Sequence, residues 1–314
     1  MIVFHKDRFA VHSGTRNPES TMKHPTPIAI LATLFAAACL SHAAIPLKPG
    51  DKVAFLGDSI TEGGQGSPGG YVQLIGSGLA ANGVKIEIIG AGISGHKSND
   101  MLKRLDADVL GKKPQWMTLS CGVNDVWHGA NGVPLPDYKK NITEIVDKAM
   151  AAGVKVVILT STMIGENQAD ENNQKLTAYN EFLRTLATEK KCLFADLNGA
   201  MQAAVTAAAK AAEKQPKSSI NNLTTDGVHM AFAGNRMMAV GVLKGFGLND
   251  AELTKANTAW LDIPNTLQLT SKMALTLRQA QQLDKLATQK KVSVDSLVDE
   301  QFTKAMEVLL KSAK

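Results

Sequence analysis

The sequence predicts an α/β fold: a three-layer sandwich on a five-stranded parallel sheet, followed by a C-terminal helical extension. Three observations carry this. Five short aliphatic runs recur at 53–56, 86–89, 117–119, 154–159 and 193–195, mostly bounded by Gly, Asp or Lys. Runs this apolar read as strands buried on both faces, as in a parallel sheet. Amphipathic segments alternate with them at 71–81, 99–109, 138–152 and 173–189. Strand–helix alternation sustained this long argues for right-handed crossovers and helices on both sheet faces.

Each element has its own signal. Gly83 and Gly153 follow two of the helical segments where a C-cap belongs. Residues 205–213 are Ala-rich and helical, 214–225 form a polar loop, and 232–243 make the last helix of this unit. From about Leu253 the pattern changes. Residues 270–290 are helical, with Met273, Leu275, Leu277, Leu283 and Leu286 as apolar positions. Residues 297–310 repeat the signature with Phe302, Met306, Leu309 and Leu310. Helices this polar cannot bury themselves alone and are expected to pack on the preceding unit or on another subunit. The expected division is 1–43, 44–250 and 251–314.

The first segment reads as an address rather than as structure. Lys23 and His24 follow Met22, an apolar run covers 28–40, and Ser41-His42-Ala43 supplies a small-x-small cleavage site. This describes a secretory signal peptide starting at Met22 and cut after Ala43, so a secreted or periplasmic location is expected. The apolar run falls short of the about 20 residues a membrane span needs. The competing reading makes Cys39 a lipid-modified cysteine, although Ala36 stands where such signals prefer a larger aliphatic residue. Removing 1–43 lowers the net charge from +5 to +3. No Lys/Arg stripe with interleaved aromatics is present, so no nucleic-acid partner is expected. Hydrophobic residues at 44% and charged residues at 20% are ordinary for a globular chain. After cleavage Cys121 and Cys192 remain, each in an apolar run. Buried free thiols are the plainer reading, and an export compartment also permits a disulfide.

Four short motifs follow one another: Gly57-Asp58-Ser59, Ile93-Ser94-Gly95, Gly122-Val123-Asn124-Asp125 and Asp226-Gly227-Val228-His229. Three of them stand just after an expected strand, the end at which open α/β sheets bind ligands. Ser59 offers a hydroxyl nucleophile, which needs a base, and His229 offers one. Asp226, three residues earlier, can hold the imidazole tautomer and stabilise the imidazolium. The Gly95 amide and the Asn124 side chain can cradle an oxyanion. Each piece has a bland reading beside this one. Asp58-Ser59 could cap a helix, Asn124-Asp125 could be a turn pair, Gly92 and Gly95 could serve only a tight turn, and His229 could simply start a helix.

In this order and spacing the four motifs resemble the SGNH (GDSL-type) hydrolase family over residues 51–248. The resemblance implies catalysis by Ser59, Asp226 and His229, with an oxyanion hole made by the Ser59 and Gly95 amides and the Asn124 side chain. The nucleophile motif is Gly-Asp-Ser-Ile rather than Gly-x-Ser-x-Gly, which disfavours the other large esterase fold. The run Gly122 to Trp127 is most similar to the branch containing bacterial acetylxylan esterases. Trp127 is then expected to wall a small acyl pocket or face a sugar ring, with a core aromatic as the alternative. Asp58, Asp125, His96 and His128 complete the expected substrate-binding set. Met230 departs from the family, which usually has proline after the histidine.

His96, His128 and His229 are the histidines after residue 43, enough in number for a zinc site. No His-x-His or His-Glu-x-x-His spacing supports one, and neither metal nor cofactor is expected. The expected function is an exported serine esterase acting on short-chain esters, foremost O-acetyl groups on carbohydrate. The alternatives are a lysophospholipase or arylesterase of the same family, or a non-catalytic carbohydrate-binding relative.

Overall fold

The computed structural model describes residues 45–212, 223–264 and 276–312. The expected signal peptide, part of the polar loop at 214–225 and the stretch 270–275 lie outside the described residues.

The sheet has five parallel strands in the order β2-β1-β3-β4-β5, with β1 at Lys52–Gly57, β2 at Glu87–Gly92, β3 at Trp116–Ser120, β4 at Lys155–Leu159 and β5 at Leu193–Ala195. The order reverses at β1, so the loops after β1 and β3 diverge at the carboxyl edge and leave a crevice between them. Val53 to Leu56 and Met117 to Leu119 are fully buried, which is why both read as unbroken aliphatic runs. β2 runs three residues further than its aliphatic signature. Gly90, Ala91 and Gly92 pair with Phe55, Leu56 and Gly57. At Gly92 a side chain would stand 2.3 Å from the Glu62 amide, so only glycine admits the helix that begins at Ser59.

That helix, α1 at Ser59–Gly66, was not expected, because Gly63, Gly64 and Gly66 read as loop. Asp58 starts it by accepting the Ile60 amide at 2.9 Å. One helical layer contains α2 (Tyr71–Ala81), α8 (Phe232–Gly245) and α9 (Asp250–Trp260); α7 (Leu197–Ala212) packs on α8. The other contains α3 (Ser98–Asp108), the short α4 (Val123–Trp127), α5 (Leu135–Ala151) and α6 (Glu171–Lys190).

The expected boundary at 250 moves. Leu253, Ala256 and Trp260 of α9 belong to the main core, and the Trp260 indole donates to the Leu74 carbonyl at 2.8 Å. α10 (Leu277–Lys290) begins at a Thr276–Gln279 capping box, and α11 (Val294–Ser312) follows it after a left-handed Lys291. Cys121 is buried, Cys192 half-buried, and both are free thiols.

Candidate active site

Ser59 leaves the carboxyl end of β1 as the first residue of α1, so its amide is one of the helix-start donors with no partner inside the helix. Its hydroxyl lies 2.9 Å from His229 Nε2, and His229 Nδ1 lies 2.6 Å from Asp226 Oδ2. These three side chains therefore form one continuous hydrogen-bonded chain.

The loop holding Asp226 and His229 is built by its own carboxylate. Asp226 Oδ1 accepts the amides of Val228 at 3.0 Å and His229 at 2.8 Å, leaving Oδ2 for the imidazole. A bridge between Thr224 and Met230 closes the loop, and the Gly165 amide donates to the Gly227 carbonyl at 2.7 Å. Glu166 Oε1 accepts the amides of Leu223 and Thr224 and the Thr224 hydroxyl. Desolvation, which alone would raise Asp226, is outweighed by hydrogen bonds from the His229 ring and from the His229 and Val228 amides. They bring its carboxyl down to about 2. Asp226 is therefore an anion at neutral pH and accepts from Nδ1–H, which frees Nε2 to accept the Ser59 proton.

Asn124 is buried at 3% exposure on α4, after Gly122. Gly122 has φ +134, and a side chain there would stand 2.2 Å from the Ser161 hydroxyl, so the turn into α4 requires glycine. The Asn124 amide nitrogen donates to the His96 carbonyl at 3.2 Å, while its oxygen lies 3.2 Å from His128 Nε2. The loop with Gly95 is tied to α1 by Glu62, which accepts the Ser94 amide at 2.7 Å and the Ser94 hydroxyl. Those bonds hold the Glu62 carboxyl below its usual range.

The expected substrate-binding residues divide. Asp58 and Asp125 are 2% and 3% exposed, so neither reaches a ligand, and the expectation is corrected for both. Asp58 caps α1. Asp125 accepts the Ser98 amide at 3.0 Å and its hydroxyl at 2.6 Å, fixing the start of α3. Burial raises both carboxyls, Asp58 to about 6, with the Asp125 charge adding to the rise at Asp58. His96 is half-buried and its Nδ1 accepts from Arg104 Nε at 3.0 Å. Trp127 is 45% exposed, edge-on to the His128 ring, so it is no core aromatic. A cavity of about 280 Å³ opens beside Ser59. Ser59, His229, Gly64, Ser67, Phe232 and Asn235 contribute to its walls, and Trp127 does not.

Sequence reasoning missed three residues that frame this site: Glu62, Glu166 and Arg104. The nearly buried Arg104 donates to the Gly57 carbonyl at 2.8 Å, the Ala91 carbonyl at 2.9 Å and Asp108 at 3.0 Å. Spacing offers only the i,i+4 pair Arg104–Asp108; the other partners, such as Ser94 for Glu62, Thr224 for Glu166 and Gly57 for Arg104, lie far away in sequence. Among the described residues, no group of three or more His, Cys, Asp or Glu side chains could hold a metal ion.

A serine at the end of β1, hydrogen-bonded to a histidine that is bonded in turn to a carboxylate, is the arrangement of groups that serine hydrolases use. Residues 55–237 match the GDSL-like lipase/acylhydrolase family, and the chain belongs to it. It is a carboxylic ester hydrolase. An acetylxylan esterase of Geobacillus stearothermophilus is 27% identical over 217 residues, spanning 63% of this chain and 94% of that protein. The structure is also similar to that of the acetyl xylan esterase AlAXEase, with a TM-score of 0.55 and 32% identity over 62% of this chain and 98% of that one. Axe2, an acetylxylan esterase from Geobacillus stearothermophilus, superimposes with a TM-score of 0.56 at 26% identity, covering 65% and 97%.

Proposed function

We propose that this protein is an exported serine esterase that removes short acyl groups, foremost O-acetyl groups on carbohydrate. The observation that carries the reading is the unbroken chain Asp226–His229–Ser59, with separations of 2.6 Å and 2.9 Å. His229 Nε2 takes the Ser59 proton as Oγ attacks the ester carbonyl carbon. The resulting oxyanion accepts from the Ser59 and Gly95 amides and from Asn124 Nδ2, each donor being worth on the order of a hundredfold in rate. Collapse breaks the bond to the alcohol, which leaves with the proton from His229. Water then gives a proton to His229 and attacks the acyl carbon, releasing the acid and restoring Ser59. Asp226 stays ionised and balances the imidazolium.

The substrate assignment draws on the relatives and on size. Catalytic mutants of Axe2 alter a serine, an aspartate and a histidine, the last two three positions apart, as Asp226 and His229 are here. A cavity of about 280 Å³ suits a short acyl group. Export rests on the signal-peptide pattern before Ala43. Among the described residues no helix is long and apolar enough to cross a membrane.

The test is to assay the purified protein on acetylated xylan, on nitrophenyl acetate and octanoate, and on lysophospholipid. Acetyl should be preferred over octanoyl by at least about a hundredfold, since each rejected methylene is worth about 1–3 kcal/mol. Preference for octanoyl ester or lysophospholipid would overturn the carbohydrate assignment. A folded Ser59→Ala protein that keeps substantial activity would overturn the mechanism. N-terminal sequencing of the protein recovered from outside the cytoplasm should begin at Ala44.

A further inference from the structure

The family match ends at residue 237, well before α10 and α11, so this hairpin lies outside the region that defines the hydrolase. Its helices pack on each other. Their buried apolar residues, Ala287 and Leu297, stand outside the hydrolase core. Between them runs a mostly apolar groove of about 720 Å³, whose lining of Leu283, Leu286, Leu297, Val298 and Phe302 is completed by the polar Lys290 and Gln301. Leu286 and Phe302 are 41% and 38% exposed, and Leu309 and Leu310 extend the uncovered apolar surface along α11. An apolar surface of this extent on amphipathic helices marks an interface.

The charges on the two helices say what covers it. α10 carries Arg278, Lys285 and Lys290 against Asp284 alone. α11 carries Asp295, Asp299, Glu300 and Glu307 against Lys304 and Lys311. The helices are thus of opposite sign and equal net charge. A two-fold pairing of hairpins sets the α10 of one copy beside the α11 of the other, so the apolar stripes meet while opposite charges flank them. An anionic lipid surface fits less well, since it needs a basic polar face and α11 is acidic. A glycan fits less well too, since Phe302 is the one aromatic ring in the groove and five of its seven lining residues are apolar.

We propose that α10 and α11 form a self-association module through which two copies of this chain join, hairpin to hairpin, in a four-helix arrangement that leaves both hydrolase sites independent. The dimer is formed by apolar packing and its register is set by the α10–α11 charges.

Light scattering and sedimentation on the full chain test this. Twice the chain mass is expected at micromolar concentration. Leu286→Glu with Phe302→Glu should raise the dissociation constant at least about a hundredfold, two such burials being worth about 3 kcal/mol or more. Turnover of nitrophenyl acetate should be unchanged in that variant, which shows that the hydrolase is folded, and an unchanged helical circular dichroism signal shows the same for the hairpin. A second arm uses charge alone. Reversal of Arg278, Lys285 and Lys290 to Glu, or of Asp295, Asp299 and Glu300 to Lys, should weaken each homodimer, and mixing the two variants should restore a heterodimer. A wild type that stays monomeric at about 100 µM would overturn the proposal. So would a double variant that still pairs, charge variants that do not complement, or monomers that sediment with anionic vesicles.

Discussion

His128 Nε2 stands 3.2 Å from the side-chain oxygen of Asn124, and that oxygen can only accept. The His96 carbonyl can also only accept, which sets Nδ2 towards it and Oδ1 towards the ring, so the ring presents Nε2–H. With Oδ1 engaged, Nδ2 faces the His96 carbonyl and keeps a second hydrogen for the oxyanion. His128, expected as a substrate contact, is bonded to Asn124, and we propose that it positions that side chain. His128→Ala should lower kcat about tenfold with KM unchanged, a fraction of what losing the donor itself costs. His128→Gln, whose amide can donate to the same oxygen, should recover most of the loss. Steady-state kinetics on nitrophenyl acetate decide between the roles, because a substrate contact would move KM instead.

Glu62 holds the other side of the oxyanion site by accepting both donors of Ser94. Glu62→Ala should loosen the Ile93–Gly95 turn and reduce kcat about tenfold. Glu62→Gln keeps an acceptor oxygen and should retain most activity. Equal losses in the two variants would mean that the charge, not the tether, matters.

Burial sets a pH dependence. Asp58 titrates near 6 in the folded protein and at an ordinary carboxylate pKa near 4 when unfolded, so the folded state holds its proton over a range in which the unfolded chain has lost it. Stability should then fall as pH rises from about 4 to 6, by a total of order 3 kcal/mol. Asp226 acts oppositely and lower, contributing stability above about 4 that is lost as pH falls towards 2. Asp226 is half-exposed, so its contribution is the smaller one. Urea titrations across this range should show the decline in the wild type and flatten it in Asp58→Asn.

All groups in the proposed mechanism belong to the protein. Prolonged chelation should leave the rate unchanged, and a fluorophosphonate should label Ser59 and no other residue. Labelling should fail in His229→Ala, where nothing takes the serine proton. A rate abolished by chelation and restored by zinc would assign the chemistry to a metal.

The sheet was legible because a strand buried on both faces needs side chains such as those of Val53 to Leu56 and Val156 to Leu159, and little else reads that way. Ser59, Asn124, Asp226 and His229 were legible because each sits in a short tripeptide or tetrapeptide whose chemistry is local. α1 was not, since its three glycines hide a helix that a single Asp58 cap starts. For Trp127 the sequence left open a pocket wall, a sugar-facing ring or a core position, and only its neighbours in space show it exposed beside His128 and outside the cavity at Ser59. Arg104 left only the trace of an i,i+4 pair with Asp108, and nothing that pointed to the strand ends. On a helix surface an arginine reads as solvated, and only the folded chain shows three carbonyl and carboxylate partners around it.

Arg104 also bears on how this enzyme would be made to tolerate heat. One guanidinium clasps the ends of two strands, at Gly57 beside the nucleophile and at Ala91 before the oxyanion turn, and steadies His96 as well. The two halves of the reaction centre are thereby hung from a single helix. If α3 frays, nucleophile and anion cradle drift apart together while the sheet beneath them is still intact. Inactivation on warming would then run ahead of unfolding. The profitable place to reinforce is the surface of α3, where engineering touches no reacting atom.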